Sequence, residues 1–292
     1  MPGKILIIGG DSEIATAATT HLRASGYHVM ATTRRQERVA ADRPLLDLSR
    51  SIDDWQIPDG VGAACFCAAI ARLNDCAKDP QGSSLVNVTR TIALADRLLD
   101  HGMPILFLST DKVFDGTRPH VPADALLCPV SEYGRQKAAA EAALVERMRQ
   151  GAPVVILRLA KIVSPGMELL RQWAASLGSG KAIRAFDDMM MAPTPVAMVA
   201  SAIERLLGES HAGIFQLTGP RDIAYAEIGN HLARRLGADP ALVERVSAYS
   251  AGLPQGSTAQ HTTLDSSALR ERFGIAVPDA LEVIDELAES CR

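Results

Sequence analysis

Short runs of apolar residues recur along this chain, and stretches of helical character separate them. That alternation leaves few folds open. Lys4 to Ile8 (KILII), Pro104 to Leu108 (PILFL) and Pro153 to Leu159 (PVVILRL) are continuous apolar runs, the pattern of strands buried on both faces. Tyr27 to Thr32 (YHVMAT) and Ala63 to Ala68 (AACFCA) are further strand candidates, and an apolar stretch at Leu45 to Leu48 lies between them. The intervening segments read as helices. One runs from Ile14 to Ser25 and stops at Gly26, and one from about Leu85 to Asp100 is closed by His101-Gly102. The third, Glu132 to Gln150, is rich in Ala, Glu, Arg and Lys and free of Gly and Pro after Gly134. Strands and helices alternating at this spacing predict an α/β fold: a doubly wound parallel sheet with helices on both faces, whose ligands sit at the carboxyl ends of the strands. After about Lys161 the texture changes to short strands, Pro193-Thr194-Pro195, a helix from Val196 to Leu207 and a strand from Gly213 to Thr218. A first domain over residues 1–160 and a smaller mixed lobe over 161–292, interleaved with it, are therefore expected.

Composition excludes several classes. The 292 residues carry a formal net charge of −4, so no global basic field exists for a nucleic-acid backbone, and 4% aromatics argue against a base-stacking platform. With 47% apolar residues, disorder is not the main state. No apolar run reaches the length of a membrane span, and Met1-Pro2-Gly3-Lys4 leads straight into the first strand, so a soluble, cytoplasmic protein is expected, with no membrane partner. The five cysteines, Cys65, Cys67, Cys76, Cys128 and Cys291, include no CxxC pair. Cys65 and Cys67 sit in an apolar run and are read as buried, reduced thiols. The seven histidines lack metal-ligand spacing, and no metal site is expected.

The first strand breaks at Gly9-Gly10-Asp11-Ser12-Glu13-Ile14-Ala15, and a helix follows. A turn in that context lets backbone amides at a helix N-terminus approach a pyrophosphate. In a G-x-x-G-x-x-G frame the three positions are Gly9, Ser12 and Ala15. Ala still permits close helix–strand packing, whereas Ser at the second position requires a negative φ. An ordinary turn with Ser12 as helix cap remains the competing reading. After the second strand come Thr33-Arg34-Arg35. No carboxylate is present there to take a ribose 2′-hydroxyl, and arginine pairs with a 2′-phosphate, which favours NADP over NAD. Asp47-Leu48 is placed at the adenine edge. The alternative is that Arg34 and Arg35 face solvent.

Tyr133 and Lys137 open the long helix four residues apart, on one helical face. A phenol is a poor base and a usable proton donor at neutral pH. An ammonium beside it is expected to lower its pKa and to hold a ribose hydroxyl, making a proton relay. Ser109 and Thr110 end a buried strand, where side chains meet a ligand; either can orient a substrate carbonyl, or both can be strand-end caps.

These residues resemble the extended short-chain dehydrogenases/reductases, and within them the dTDP-4-dehydrorhamnose reductase branch. The likeness rests on Ser109-Thr110-Asp111-Lys112-Val113-Phe114-Asp115-Gly116, on Tyr133-Gly134-x-x-Lys137 followed by Glu141, and on Asn87-Val88. Gly213 to Gly219 (GIFQLTG) and Asp265 to Leu269 before Phe273-Gly274 extend it over nearly the whole chain. The resemblance implies a Rossmann NAD(P)-binding domain and a C-terminal lobe that binds a nucleotide-linked sugar. It implies that Thr110 polarises the keto oxygen, Tyr133 gives the proton and Lys137 tunes it. Gly9, Ser12 and Ala15 would line the pyrophosphate, Asp11, Glu13 and Ile14 of the same turn would also bind the cofactor, and Thr33, Arg34, Arg35, Asp47 and Leu48 would stand at the adenosine end. Ala68, Ala69, Ser109, Tyr133 and Lys137 would flank the rest of the cofactor. The implied activity is an NADP-dependent reductase of a keto sugar nucleotide, NAD being the other cofactor to consider. A sugar-nucleotide epimerase, or a non-catalytic NAD(P)-binding regulatory protein, is the alternative. Dehydratase relatives carry an Asp-Glu pair after the threonine, and Asp111-Lys112 stands here instead, so water elimination is not implied. The same branch suggests a homodimer through Val86 to Leu99 and the Glu132 helix. Two departures stand out. Lys112 replaces the branch's tyrosine, and the phosphate turn has lost two glycines.

Three smaller features complete the reading. Met189 to Pro195 is either a loop over substrate or packing between lobes. Arg158, among apolar neighbours, is expected in a structural ion pair, with a diphosphate contact shared with Arg184 as the alternative. Gly252 to Ser257 is expected to be a mobile loop near a substrate mouth.

Overall fold

From Ile5 onward the first strand is buried, because its side chains are apolar and both faces are covered. The computed structural model describes residues 3–165, 167–208, 212–253 and 258–289. Along the chain β1 (Lys4–Ile8), α1 (Glu13–Ala24), β2 (Val29–Ala31) and β3 (Val61–Phe66) are followed by α2 (Leu73–Lys78), α3 (Pro80–Ser84) and α4 (Thr91–Asp100). Then come β4 (Ile105–Thr110), α5 (Glu132–Arg149), β5 (Val154–Leu159), β6 (Ile162–Val163), α6 (Glu168–Gly178), β7 (Ile183–Phe186), β8 (Met190–Met191) and β9 (Thr194–Pro195). The last elements are α7 (Val196–Gly208), β10 (Gly213–Leu217), β11 (Ile223–Ala224), α8 (Tyr225–Leu236), β12 (Val243–Val246), α9 (Ser267–Phe273) and α10 (Ala280–Glu289).

Six strands form the central sheet in the order β2-β1-β3-β4-β5-β10. β1 runs parallel to both β2 and β3, and β3 parallel to β4. The chain leaves β1 for β2 on one side and returns to β3 on the other. The carboxyl ends of β1 and β3 therefore flank a topological switch point, where an α/β sheet opens a crevice. The apolar stretch at Leu45 to Leu48 adds no strand, only one parallel bridge between Leu45 and Thr33. Pro44 has no N–H to give, and Ser49 N–H donates to Asp47 Oδ1 at 2.9 Å, which turns the chain. Leu46 and Leu48 are buried all the same, in a core that includes Phe66, Leu94, Phe107, Leu144 and Ile156.

Two contact-defined units emerge. The first is Met1–Phe114, Leu126–Arg158 and Val196–Phe215; the second is Asp115–Ala125, Leu159–Pro195 and Gln216–Arg292. One boundary at 160 is thus too simple. α7 packs on α1 and returns to the first unit, and 115–125 joins the second. In the second unit β7 pairs parallel with β12 and β8 antiparallel with β11, and the core includes Trp173, Ile228 and Ile284. This unit is more regular than its sequence texture indicates, since α6, α8 and α10 are amphipathic helices of 10 to 12 residues. Met191 is buried in this core.

The segment expected as one helix from Leu85 is built otherwise. Asp79 caps α3, with Pro80 in its first turn, and Leu85–Arg90 is wound as a π-helix before α4 begins. Among the described residues no helix is long and apolar enough to cross a membrane. Of the expected mobile loop, residues 254–257 lie outside the described residues, as does Cys291.

Candidate functional site

Gly9 turns the chain out of β1 with φ +85°, and a Cβ on it would stand 2.6 Å from Ala68. Only glycine satisfies both the backbone and that approach. A Cβ on Gly10 would stand 2.7 Å from the side chain of Ala31, so this second glycine is required by packing against β2. The frame read from sequence passed over Gly10; the Gly-Gly pair was the available signal. Ser12 sits at φ −79° as the cap of α1, its Oγ accepting from Ala15 N–H at 3.2 Å, and Ala15 is fully buried. The turn therefore keeps its course without the two missing glycines, because Ser12 adopts the negative φ that its Cβ allows.

Asp11 is the electrostatic centre of this turn. Its carboxylate accepts from Thr33 Oγ1 at 2.7 Å, Arg43 Nη2 at 2.7 Å and Arg38 Nη1 at 3.2 Å. Burial alone would raise its pKa, but the Thr33 and Arg43 hydrogen bonds, with the Arg43 charge and the Arg38 bond, outweigh burial and hold it low. Thr33 is 1% exposed, so it supports Asp11 from beneath. Arg38 and Arg43 were not legible as site residues, because nothing in their spacing says that the loop after β2 folds back onto residue 11.

A cleft of about 650 Å³ opens here, within the size range of a small-molecule site. Gly9, Asp11, Ser12, Arg34, Arg35, Asp47, Leu48, Ala68 and Ala69 line it, with Cys67, Ile70, Arg72 and Ser83 further along. Glu13 is exposed at the start of α1 and Ile14 is half-buried; neither lines the cleft. Burial works to raise the Asp47 carboxyl, but hydrogen bonds from Ser49 and the charges of Arg50 and Arg34 bring it below its usual value.

Ser109, Thr110, Tyr133 and Lys137 form a second cluster, at the end of β4 and the start of α5, and do not line the cleft. β4 is the neighbour of β3, whose end supplies Cys67 to Ile70 to the cleft. Thr110 Oγ1 donates to Asp111 Oδ1 at 3.0 Å and accepts from Lys112 N–H at 3.2 Å, while Lys112 Nζ reaches Asp111 Oδ2 at 2.7 Å. Ser109 Oγ is buried with no hydrogen-bond partner among the described residues. Ser131 caps α5 by accepting from Gly134 N–H at 3.1 Å. Gly134 lets that first turn close on β4's extension, since a Cβ would stand 2.1 Å from the Lys112 carbonyl oxygen.

Lys137 is 2% exposed. Its Nζ donates to the Leu108 carbonyl at 2.6 Å and stands 3.6 Å from the centroid of the Phe107 ring. Desolvation brings its pKa down to about 7 against the opposing charges of Glu141 and Cys67. The Tyr133 phenol moves the other way: burial raises it most, and the charges of Asp111 and Cys76 raise it further. The expected lowering of Tyr133 by Lys137 is therefore reversed in sign. The ammonium is spent on a carbonyl and an aromatic face, and the nearby charge that acts on the phenol is a carboxylate. Arg158 forms a buried ion pair with Glu141, Nη2 to Oε2 at 2.7 Å, with Phe114 beneath its guanidinium.

Over 285 residues, 93% of each chain, the sequence is 26% identical to a probable low-salt glycan biosynthesis reductase of Haloferax volcanii. It is 30% identical over 249 residues to the dTDP-4-keto-6-deoxy-D-glucose reductase of Streptomyces niveus, covering 84% of this chain and 83% of that one. Among solved structures, the dTDP-4-dehydrorhamnose reductase of Bacillus anthracis in complex with NADP matches with a TM-score of 0.81 at 18% identity, over 98% of this chain and 99% of that one. Residues 3–292 match the model of the RmlD substrate binding domain, and the chain belongs to that family.

Proposed function

We propose that this protein is an NADP-dependent reductase of a keto sugar nucleotide. A relative named as a dTDP-4-keto-6-deoxy-D-glucose reductase, over 84% of this chain, and one named as a probable glycan biosynthesis reductase, over 93% of it, support the class. The observation that carries the mechanism is the placement of Tyr133 and Lys137 in the opening turns of α5 and of Thr110 at the end of β4, the strand next to the one that leads into the cleft; burial and the Asp111 charge there push the phenol above its ordinary pKa. The cleft fits a dinucleotide: a glycine turn at the N-terminus of α1, two arginines and no free carboxylate at the end of β2, and a volume of about 650 Å³. Gly9 and Ser12 would take the pyrophosphate, and Arg34 and Arg35 the 2′-phosphate, with Ala68 and Ala69 along the remainder.

When bound, the reduced nicotinamide supplies a hydride to the ketone carbon. Tyr133 donates its proton to the oxygen as charge develops there, and a high phenol pKa keeps the donor loaded at neutral pH. Lys137, whose pKa burial brings down to about 7 and whose Nζ stands on the Leu108 carbonyl, would hold a ribose hydroxyl of the cofactor and return a proton to the phenol. Thr110 orients the keto oxygen through Oγ1, once that hydroxyl turns from Asp111. The second unit binds the sugar nucleotide. An epimerase must first take a proton from a hydroxyl, and a phenol beside Asp111 is ill-suited to that.

The test is NADPH oxidation with a panel of keto sugar nucleotides, alongside melting shifts with NADP and NAD. Turnover with at least one ketone and a larger shift with NADP are expected. Exchange of the sugar hydrogen without net oxidation would indicate an epimerase, and no shift with either dinucleotide a protein that has left the chemistry.

A further inference from the structure

The helix carrying Tyr133 and Lys137 is tied to the cleft wall by a buried polar network that the donor pair itself does not require. Gln136 stands between those two residues in sequence and is 3% exposed. Its Oε1 accepts from Asn87 Nδ2 at 2.7 Å, and its Nε2 donates to Ser83 Oγ at 2.8 Å and to Glu132 Oε1 at 3.0 Å. Asn87, 2% exposed, holds both backbone groups of Ile70, accepting from its N–H at 2.8 Å and donating to its carbonyl at 2.9 Å. Ile70 and Ser83 line the cleft. Asn87 lies in the π-wound stretch Leu85–Arg90, a local irregularity of the kind that concentrates at functional sites. An amide alone meets these demands, because it offers an acceptor to Asn87 and two donors to Ser83 and Glu132 in one plane. A carboxylate would have no donor, and would face Glu132 one turn away.

We propose that Gln136 is a positioning residue that couples the cleft wall formed by Ile70 and Ser83 to the first turn of α5, so that a dinucleotide settling on that wall orders Tyr133 and Lys137. The inference rests on the dinucleotide reading of the cleft. A fully bonded buried network transmits a small displacement because its members cannot move singly without leaving a polar group unpaired. Loss of the bridge should leave cofactor affinity largely intact and weaken what affinity accomplishes.

The experiment is amide hydrogen exchange at residues 134–138, with and without NADP, on the full chain and on Gln136→Leu and Gln136→Glu. In the wild type NADP should slow exchange there by about fivefold or more, by ordering a segment that otherwise opens locally. Gln136→Leu should bind NADP within about threefold of wild type and lose that slowing, while Gln136→Glu, which keeps only the acceptor for Asn87, should retain part of it. Where a ketone is turned over, kcat of Gln136→Leu should fall about tenfold or more while KM for NADPH changes less than about threefold. A Gln136→Leu protein that melts cooperatively, binds NADP and keeps the slowing overturns the proposal, and so does a wild type that binds NADP without slowing. Should Gln136→Leu not fold, full slowing in Gln136→Glu overturns it equally. Melting shifts on the same wild-type sample separate these outcomes from failure of the parent reading: a chain that binds neither NADP nor NAD removes the dinucleotide and this coupling together.

Discussion

A phenol with a carboxylate for a neighbour holds its proton, and under the proposed reduction this suits Tyr133 to giving a proton rather than taking one. Reduction needs the protonated form, so kcat/KM for the ketone should stay level into alkaline pH and fall only as the phenol ionises. Asp111→Asn removes the charge; its single amide oxygen can still accept from Lys112 Nζ, while its NH2 can only donate towards Thr110 Oγ1. The phenol pKa then drops, though burial still holds it above the ordinary value, and the alkaline fall in kcat/KM should begin at a lower pH than in the wild type. Tyr133→Phe should cost about 10² or more in kcat with cofactor affinity retained, read by stopped-flow and NADPH titration. At the other end of the site, Ser12 puts a hydroxymethyl group where a glycine would leave the phosphate turn open. Ser12→Gly should tighten NADP binding severalfold by calorimetry, at a stability cost of only about a few tenths of a kcal/mol, since glycine is a tolerable cap. Single residues were legible where motif and element agreed: Tyr133 and Lys137 share the opening turns of α5, and Gly9 and Ser12 the turn after β1. Arg38, Arg43 and Gln136 were not, because their partners at Asp11, Asn87 and Ser83 are brought to them only by the folded loop and the π-wound segment.

At the scale of elements, the site depends on how closely α5 starts against the extension of β4. Gly134 is the point of contact, with no room for a side chain before the Lys112 carbonyl. Gly134→Ala should therefore push the first turn of α5 outward. The helical propensity it adds, worth about 1 kcal/mol, is smaller than the overpacking cost of about 1–3 kcal/mol. Lower thermal stability together with a kcat loss out of proportion to it is the expected result, and unchanged kcat in folded protein would mean that the turn has slack. The elements themselves follow from local rules. β1, β4 and β5 are apolar on both faces, and α5 begins at a serine cap and ends at Gln150. Local rules fail where tertiary pairing decides. The Leu45 to Leu48 stretch buries Leu46 and Leu48, leaves Leu45 exposed and adds only one bridge to Thr33, and the segment expected as one helix from Leu85 is π-wound over Leu85–Arg90 before α4 begins.

For the whole molecule, alternation along the chain sufficed for the doubly wound sheet, while the partition into units did not follow chain order, since 196–215 returns to the first unit after an excursion through the second. Contacts of that kind leave no mark on local texture. A buried lysine at the centre of the first unit has a further consequence for the folding equilibrium. Lys137 is stripped of water in the folded protein, and its pKa falls from 10.5 to about 7. In the unfolded chain it keeps its proton up to the higher value. Between about pH 7 and 10.5 unfolding therefore takes up a proton, and this group's contribution to stability rises with pH across that window, at no more than about 1.4 kcal/mol per pH unit. Below pH 7 both states are protonated, and the cost of burying the ammonium is carried in full. Lys137→Met keeps an aliphatic stem over Phe107 and removes the titration. Urea unfolding of the two proteins without dinucleotide at pH 7, 8 and 9 should show the wild type gaining on the variant at each step, with the variant the more stable at pH 7 by about 1–3 kcal/mol. A difference that stays flat over this range would mean that Nζ keeps its proton in the fold, leaving Lys137 a fixed charge on the Leu108 carbonyl and removing its part in the relay to Tyr133.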